Sequence, residues 1–121
     1  MNLVDSCGWL EYFAGGPLSD FYARPLEGAS GLIVPTICLY EVFKKVAAER
    51  GVEAALLVSA RMQACTVVPL EAGTALLAAR ISASLKLPMA DSILLASARE
   101  HHALLWTHDS HFRGMPGVRF P

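Results

Sequence analysis

The chain begins with the stretch MNLVDS, residues 1–6, in which a short apolar run leads into an acid and a serine. An apolar run before a good helix N-cap such as Ser6 predicts a buried strand followed by a helix. Similar runs return at residues 32–34, 66–68 and 103–107, with a last one near 118–120. Helical patterns separate them, and strands separated by helices form parallel sheets. The sequence therefore predicts an α/β fold, a parallel sheet of four to five strands flanked by helices on both faces.

The boundaries of the predicted helices come from glycine, proline and capping residues. Gly15 ends the first helix, Pro35 stops the second strand before a helix capped by Thr36, and Pro88 opens the last helix. The helices are expected at about residues 6–14, 19–24, 36–50, 53–63, 71–85 and 88–101. No linker or repeat interrupts this pattern, so we interpret residues 1–121 as one domain.

Apolar residues are abundant, at 54% of the chain, and charged residues make up only 17%. Typical soluble domains carry about 25% charged residues. The helical segments 54–58 and 75–85 look too apolar for solvent to cover a whole face, which predicts a two-fold homodimer.

The sequence predicts neither a membrane span nor a signal peptide. No apolar run reaches the roughly 18 residues that a span needs. The N-terminus carries Asp5 and Glu11 where a signal peptide would carry basic residues. We therefore expect a cytoplasmic protein with no membrane partner.

Four acids occupy unusual places in this apolar chain. Asp5 and Asp109 follow predicted strands, Glu41 lies at the edge of a buried helix face, and Asp91 lies in a helix that is apolar nearly all round. Taken singly, each has an ordinary explanation as a turn, a helix cap or a solvated residue. Two carboxylates about 4 Å apart, however, repel by roughly 4 kcal/mol at an effective dielectric near 20. Clustering therefore predicts a divalent cation, and Mg²⁺ or Mn²⁺ suits an all-oxygen site.

At this point the chain resembles a PIN domain, and more narrowly the VapC-type toxin ribonucleases of toxin–antitoxin pairs. The resemblance extends over the whole chain and depends on the order and spacing of short motifs. These motifs are Val4-Asp5-Ser6 followed by Trp9, the segment Pro35 to Glu41, Asp91 with Ala96 and Ala98, and finally Leu105, Thr107, Asp109 and Phe112.

The resemblance implies a PIN domain over residues 1–121 that acts as a metal-dependent endoribonuclease. Such an enzyme hydrolyses RNA phosphodiesters with Mg²⁺-activated water, and Mn²⁺ is an expected substitute. It also implies a cognate VapB-type antitoxin as inhibitor. Asp5, Glu41, Asp91 and Asp109 would be the catalytic, metal-binding acids, with the hydroxyls of Ser6 and Thr107 supporting them. One departure is His111, at a position where relatives often carry a further acid.

The basic residues and histidines are harder to interpret. The net charge is −1, so the chain lacks the overall positive charge that is typical of nucleic-acid-binding proteins. Candidate RNA contacts, each equally compatible with a solvated face, are Lys44, Lys45, Arg99 and Arg113. The four histidines are interpreted as surface or RNA-contacting residues and not as a dedicated metal site.

Two alternatives stay open. One is a catalytically silent PIN-like module that binds RNA or protein. The other is a receiver-type signalling domain, which expects a phosphoacceptor acid after a central strand and a lysine near the end. Here the third strand runs into Pro69-Leu70, and no lysine follows Lys86.

Overall fold

Five short strands form one fully parallel sheet in the computed structural model, which describes residues 1–121. In sheet order β3-β2-β1-β4-β5, the strands are β3 (Thr66–Val68), β2 (Leu32–Pro35), β1 (Asn2–Val4), β4 (Leu104–Trp106) and β5 (Val118–Arg119). Central Leu3 pairs with Ile33 on one side and Leu105 on the other, and all three side chains are buried. The predicted parallel α/β architecture is confirmed, with five strands.

Six helices connect the strands: α1 (Ser6–Ala14), α2 (Ser19–Glu27), α3 (Thr36–Arg50), α4 (Val52–Gln63), α5 (Ala72–Leu85) and α6 (Met89–Glu100). The chain moves outward from β1 to β3 through α1–α4 and returns past β1 to β4 through α5 and α6. Because parallel crossovers are right-handed, these two groups lie on opposite faces of the sheet. Their packing agrees, since α1 contacts α2 and α3, α3 contacts α4, and α5 contacts α6.

Two local predictions were wrong. Asp5 is the N-cap of α1 in place of Ser6, and neither side chain caps the helix. The backbone N–H of Asp5 donates to the carbonyl of Trp106, which holds Asp5 in the extended conformation that continues β1. In addition, α2 does not end at about Arg24 but continues to Glu27, with the buried Pro25 in its last turn.

The strand order excludes the receiver-type alternative. Receiver domains share the flavodoxin-like order 2-1-3-4-5, in which β1 lies between β2 and β3. Here β1 lies between β2 and β4, and β3 is an edge strand. None of the six helices combines the length and the apolarity that a membrane crossing requires.

Candidate metal centre

The strand order reverses between β1 and β4, and the four predicted acids gather beyond the carboxyl ends of these strands. Asp5 directly follows β1, and Asp109 follows β4 after a two-residue extension. Glu41 comes from the second turn of α3, whereas Asp91 comes from the first turn of α6 on the opposite face. In open α/β sheets, this reversal point is where the crevice for ligands forms.

Asp5 and Glu41 are joined by one hydroxyl group. The Oγ atom of Ser6 lies 3.2 Å from Oδ1 of Asp5 and 3.1 Å from Oε1 of Glu41. Because a hydroxyl carries a single hydrogen, it donates to one carboxylate at a time. Ser6 therefore keeps the two acids close without neutralising either of them.

Thr107 connects the ends of β1 and β4. Its Oγ1 atom donates to Oδ2 of Asp5 at 2.8 Å and accepts the backbone N–H of Asp109 at 3.0 Å. Thr107 is completely buried, and Asp5 is only 5% exposed. The rotamer of Asp5 is thus set by two hydroxyl donors, Ser6 and Thr107.

Asp91 and Asp109 both contact the imidazole of His111. The Nδ1 atom of His111 lies 2.8 Å from Oδ2 of Asp91 and 3.1 Å from Oδ1 of Asp109. One ligand atom from each of the three residues lies within 4.8 Å of the others. Oδ1 of Asp109 also accepts the backbone N–H of His111, so Asp109 caps the short 3₁₀ turn Ser110–Phe112 while facing the site. Its capping role and its place in the acidic group are compatible.

The charges of these acids are poorly compensated. Burial, followed by the nearby charge of other carboxylates, raises the pKa values of Asp5, Glu41 and Asp91 above their usual range. Hydrogen bonds from Thr107 and Ser6 oppose the shift at Asp5. No lysine or arginine forms an ion pair with any of the four acids. The one ion pair between a lysine or arginine and an acid joins Lys45 to Glu49.

These observations fit a divalent cation. A group of carboxylates whose ionised form is disfavoured by burial and by mutual repulsion gains most from a nearby positive ion. Carboxylate oxygens suit Mg²⁺ and Mn²⁺, and His111 adds one nitrogen to the donor set. Asp91, Asp109 and His111 could hold such an ion, because one ligand atom of each lies within 4.8 Å of the others. Asp5 and Glu41 lie close enough to Asp109 and Asp91 to feel their charge, but they are not part of this closely spaced group.

The structure brings none of the four candidate RNA-contacting cations against the acids. Lys45 pairs with Glu49 at 3.1 Å, and Lys44 lies over the Tyr40 ring. Arg113 lies over the Phe120 ring. Arg99 follows Asp91 by eight positions in α6, about 12 Å along the helix axis at 1.5 Å per residue.

A cleft of about 490 Å³ opens beside the acids and is walled by α1, α3 and α4. Cys7 and His108 form its end near the site, and its apolar walls include Leu10, Phe13, Ala54 and Val58. The four acids are not part of its lining. Of the site's side chains, those of Asp109 and His111 are the more exposed, at 32% and 52%, whereas Asp5 and Asp91 are buried.

Sequence reasoning missed two histidine contacts. His111 was interpreted as incidental, yet it lies against two acids 20 and 2 positions away. The second contact is a 2.7 Å hydrogen bond between Nδ1 of His108 and the hydroxyl of Tyr22. Burial raises the pKa of Tyr22 far above its usual value, so the hydroxyl stays protonated. Tyr22 lies in α2, where nothing in the local pattern signalled a contact with the end of β4.

Comparisons with known proteins agree with this fold. The family model that matches is the PIN domain, over residues 3–118. Among solved structures, a toxin–antitoxin complex from Klebsiella pneumoniae is similar at a TM-score of 0.84 and 20% identity, covering 100% of this chain and 98% of that one. VapC20 of Mycobacterium tuberculosis, a sarcin-ricin loop cleaving toxin, has a TM-score of 0.78 at 15% identity, with 96% and 95% covered.

A third solved structure, VapBC2 from Rickettsia felis bound to a DNA fragment from its promoter, has a TM-score of 0.77 at 15% identity. It covers 99% of this chain and 96% of that one. No curated protein matches the chain by sequence. At these identities, the structural similarities show that the fold is shared.

Proposed function

This chain belongs to the PIN domain family, and we propose that it is a VapC-type toxin that cleaves RNA with Mg²⁺ or Mn²⁺. The observation that carries the proposal is the group of four acids at the β1–β4 reversal point. Asp5 is almost fully buried there without a basic partner. A buried carboxylate held in this way is costly unless a cation compensates it.

The proposed roles follow from the contacts. Asp5, Glu41, Asp91 and Asp109 would hold the cation, which when bound lowers the pKa of water and offsets charge on the phosphodiester. Ser6 and Thr107 orient the acids, as the hydrogen bonds of Ser6 to Asp5 and Glu41 and of Thr107 to Asp5 indicate. The substrate would reach the acids from the side on which Asp109 and His111 are exposed.

A VapB-type antitoxin is the proposed inhibitor. The apolar cleft next to the acids offers Leu10, Phe13, Ala54 and Val58 to a partner segment that can also reach the carboxylates with a basic side chain. The similar structures from Klebsiella pneumoniae and Rickettsia felis are described as toxin–antitoxin assemblies, which supports this partner class. The proposed substrate places the activity in the cytoplasm.

The alternative is a silent PIN-like module that binds RNA or protein. An intact acidic group with oriented carboxylates argues against it, because binding alone does not require buried, repelling acids. The deciding experiment incubates purified protein with total cellular RNA, with Mg²⁺, with Mn²⁺ or with chelator, followed by mapping of the RNA ends. Discrete cleavage with metal, absent with chelator and in Asp5→Asn purified in parallel, is expected. Undamaged RNA under all conditions would favour the silent module.

A further inference from the structure

We infer that His111 is a nitrogen ligand of the cation, and that it makes this site prefer Mn²⁺ over Mg²⁺. The inference rests on the proposed metal-dependent function and adds to it a residue outside the four acids. In the sequence, His111 follows Asp109 by two positions. The structure shows the ring turned toward the acids, with Nδ1 between Asp91 and Asp109.

The distances match those between neighbouring ligands of one ion. In an octahedral site with bonds of about 2.1 Å, adjacent ligand atoms are about 3 Å apart and opposite ones about 4.2 Å. Nδ1 of His111 lies 2.8 Å from Oδ2 of Asp91 and 3.1 Å from Oδ1 of Asp109. All three donor atoms lie within 4.8 Å of one another. One ion can therefore contact all three with small side-chain adjustments.

The backbone holds the imidazole in this place. The N–H of His111 donates to Oδ1 of Asp109 at 2.9 Å, within the 3₁₀ turn that follows β4. The turn therefore fixes the starting point of the side chain relative to Asp109. The side chain of His111 is 52% exposed, so the ring can adjust to an entering ion without disturbing the core.

The chemistry of the donor decides which ion is preferred. Both Mn²⁺ and Mg²⁺ suit carboxylate oxygens, but an imidazole nitrogen adds more to the affinity of Mn²⁺, a first-row transition metal, than to that of Mg²⁺, which binds oxygen ligands almost exclusively. An imidazole also lacks the negative charge with which a carboxylate helps to bind Mg²⁺. Both effects shift the site toward Mn²⁺.

A competing interpretation predicts the opposite effect of His111 on metal affinity. In it, Nδ1–H donates to both carboxylates and occupies the place of the ion, so that His111 competes with metal. Removing the ring would then raise the affinity for both ions. The two interpretations are separated by the direction in which metal affinity changes.

The experiment measures Mn²⁺ and Mg²⁺ binding by calorimetry for the wild-type chain, His111→Ala and His111→Asp. We expect His111→Ala to lose about 10-fold or more in Mn²⁺ affinity, comparable to losses seen at other metal sites, with a smaller change for Mg²⁺. His111→Asp should reduce the ratio of Mn²⁺ to Mg²⁺ affinity, because it makes the donor set all-oxygen. Circular dichroism verifies that each variant is folded.

A second readout detects the nitrogen directly. Pulsed electron paramagnetic resonance of Mn²⁺ in the wild-type protein should show ¹⁴N coupling that disappears in His111→Ala and persists in His108→Gln, the matched neighbouring histidine. Unchanged or tighter Mn²⁺ binding by His111→Ala, or coupling that survives its removal, overturns the inference while leaving a metal-binding protein. Failure of the wild-type protein to bind either ion overturns both the inference and the proposed function.

Discussion

The hydroxyl of Thr107 donates a 2.8 Å hydrogen bond to the carboxylate of Asp5, although 102 positions separate the two residues in the chain. The contact exists because β1 and β4 are neighbours and each ends at the same edge of the sheet. It joins a residue just past β4 to one just past β1. The orientation of the most buried acid therefore depends on a residue at the other end of the sequence.

Thr107→Val should lower both activity and stability. Valine keeps the shape but leaves Asp5 without one of its two hydroxyl donors and the N–H of Asp109 without its acceptor. Loss of an orienting contact typically costs about 10–100-fold in activity at metal sites, and a buried unsatisfied group about 1–3 kcal/mol. RNA cleavage rates and urea unfolding measure the two effects. Thr107→Ser keeps the hydroxyl and should retain most of the activity. Wild-type activity of Thr107→Val together with a loss in Thr107→Ser would show that the methyl group matters and not the hydrogen bond.

Asp5→Asn and Asp91→Asn should each abolish RNA cleavage while the fold stays intact, because each removes a charge from the proposed cation site. Asp20→Asn, on the exposed part of α2, is the matched control and should cleave at the wild-type rate. The assay is cleavage of a labelled RNA at saturating Mg²⁺ and Mn²⁺. Wild-type turnover by either site variant would contradict the assignment.

The stability of metal-free Asp91→Asn relative to the wild type should depend on pH. Burial and neighbouring carboxylates raise the pKa of Asp91 above its ordinary 3.8, so the folded state binds more protons than the unfolded state just above that pH. Stability contributed by this group is therefore lost as pH rises through that window. We expect metal-free Asp91→Asn to be more stable than wild type at pH 7, with the difference shrinking as pH falls toward 4. A difference that grows on acidification would contradict the direction of the shift.

Gly8→Ala should destabilise the protein by about 1–3 kcal/mol, the usual cost of overpacking a core. An added Cβ would lie 2.6 Å from Cγ1 of Val4 and would overlap the ring of buried Tyr22. Gly73→Ala in α5 is the control, since its Cβ meets nothing within 4 Å and alanine favours the helix. Urea unfolding should show opposite signs for the two substitutions. Equal stability of wild type and Gly8→Ala would mean that α1 shifts freely away from α2.

Expression of the chain alone should arrest growth of its host, and a small partner protein encoded beside it should relieve the arrest. Asp5→Asn should be harmless at the same expression level. Ala54→Glu places a charge in the apolar cleft, within the first turn of α4 and away from the acids. This variant should still arrest growth but escape the partner. Harmless expression of verified wild-type protein would contradict the toxin assignment.

A two-fold dimer remains a prediction, and it should have a mass of about twice the 13.0 kDa of one chain by light scattering at micromolar concentration. Both predicted interface segments carry exposed leucines, with Leu57 75% and Leu76 69% exposed. A stable interface should bury more than about 1,000 Å² in total. Leu57→Glu and Leu76→Glu, made separately, should show which segment pairs by yielding monomers. A fully active wild-type monomer would refute the dimer and any role for it in cleavage.

The sequence by itself determined the alternation of strands and helices and most of their boundaries. These features depend on periodicity and on capping or helix-breaking residues within a few positions, as at Gly15, Gly51 and Pro88. It also identified Asp5 and Asp109 as residues just past strand ends. In a parallel sheet, such residues come to one edge whatever the order of the strands. Glu41 and Asp91 were predicted to join the same group because they lie at or within apolar helix faces, and the family resemblance implied the same four acids.

Only the tertiary structure decided how the site is arranged. Thr107 contacts Asp5 because β4 is a neighbour of β1 in the sheet. The order of strands in a sheet cannot be read from the local pattern of apolar and polar residues. Ser6 looked like a helix cap, but its hydroxyl faces Glu41, 35 positions away. The contact of His111 with Asp91 requires α6 and the turn after β4 to meet from separate parts of the fold. Local periodicity reports which face of an element is buried, whereas the partner of a polar side chain depends on packing between distant segments.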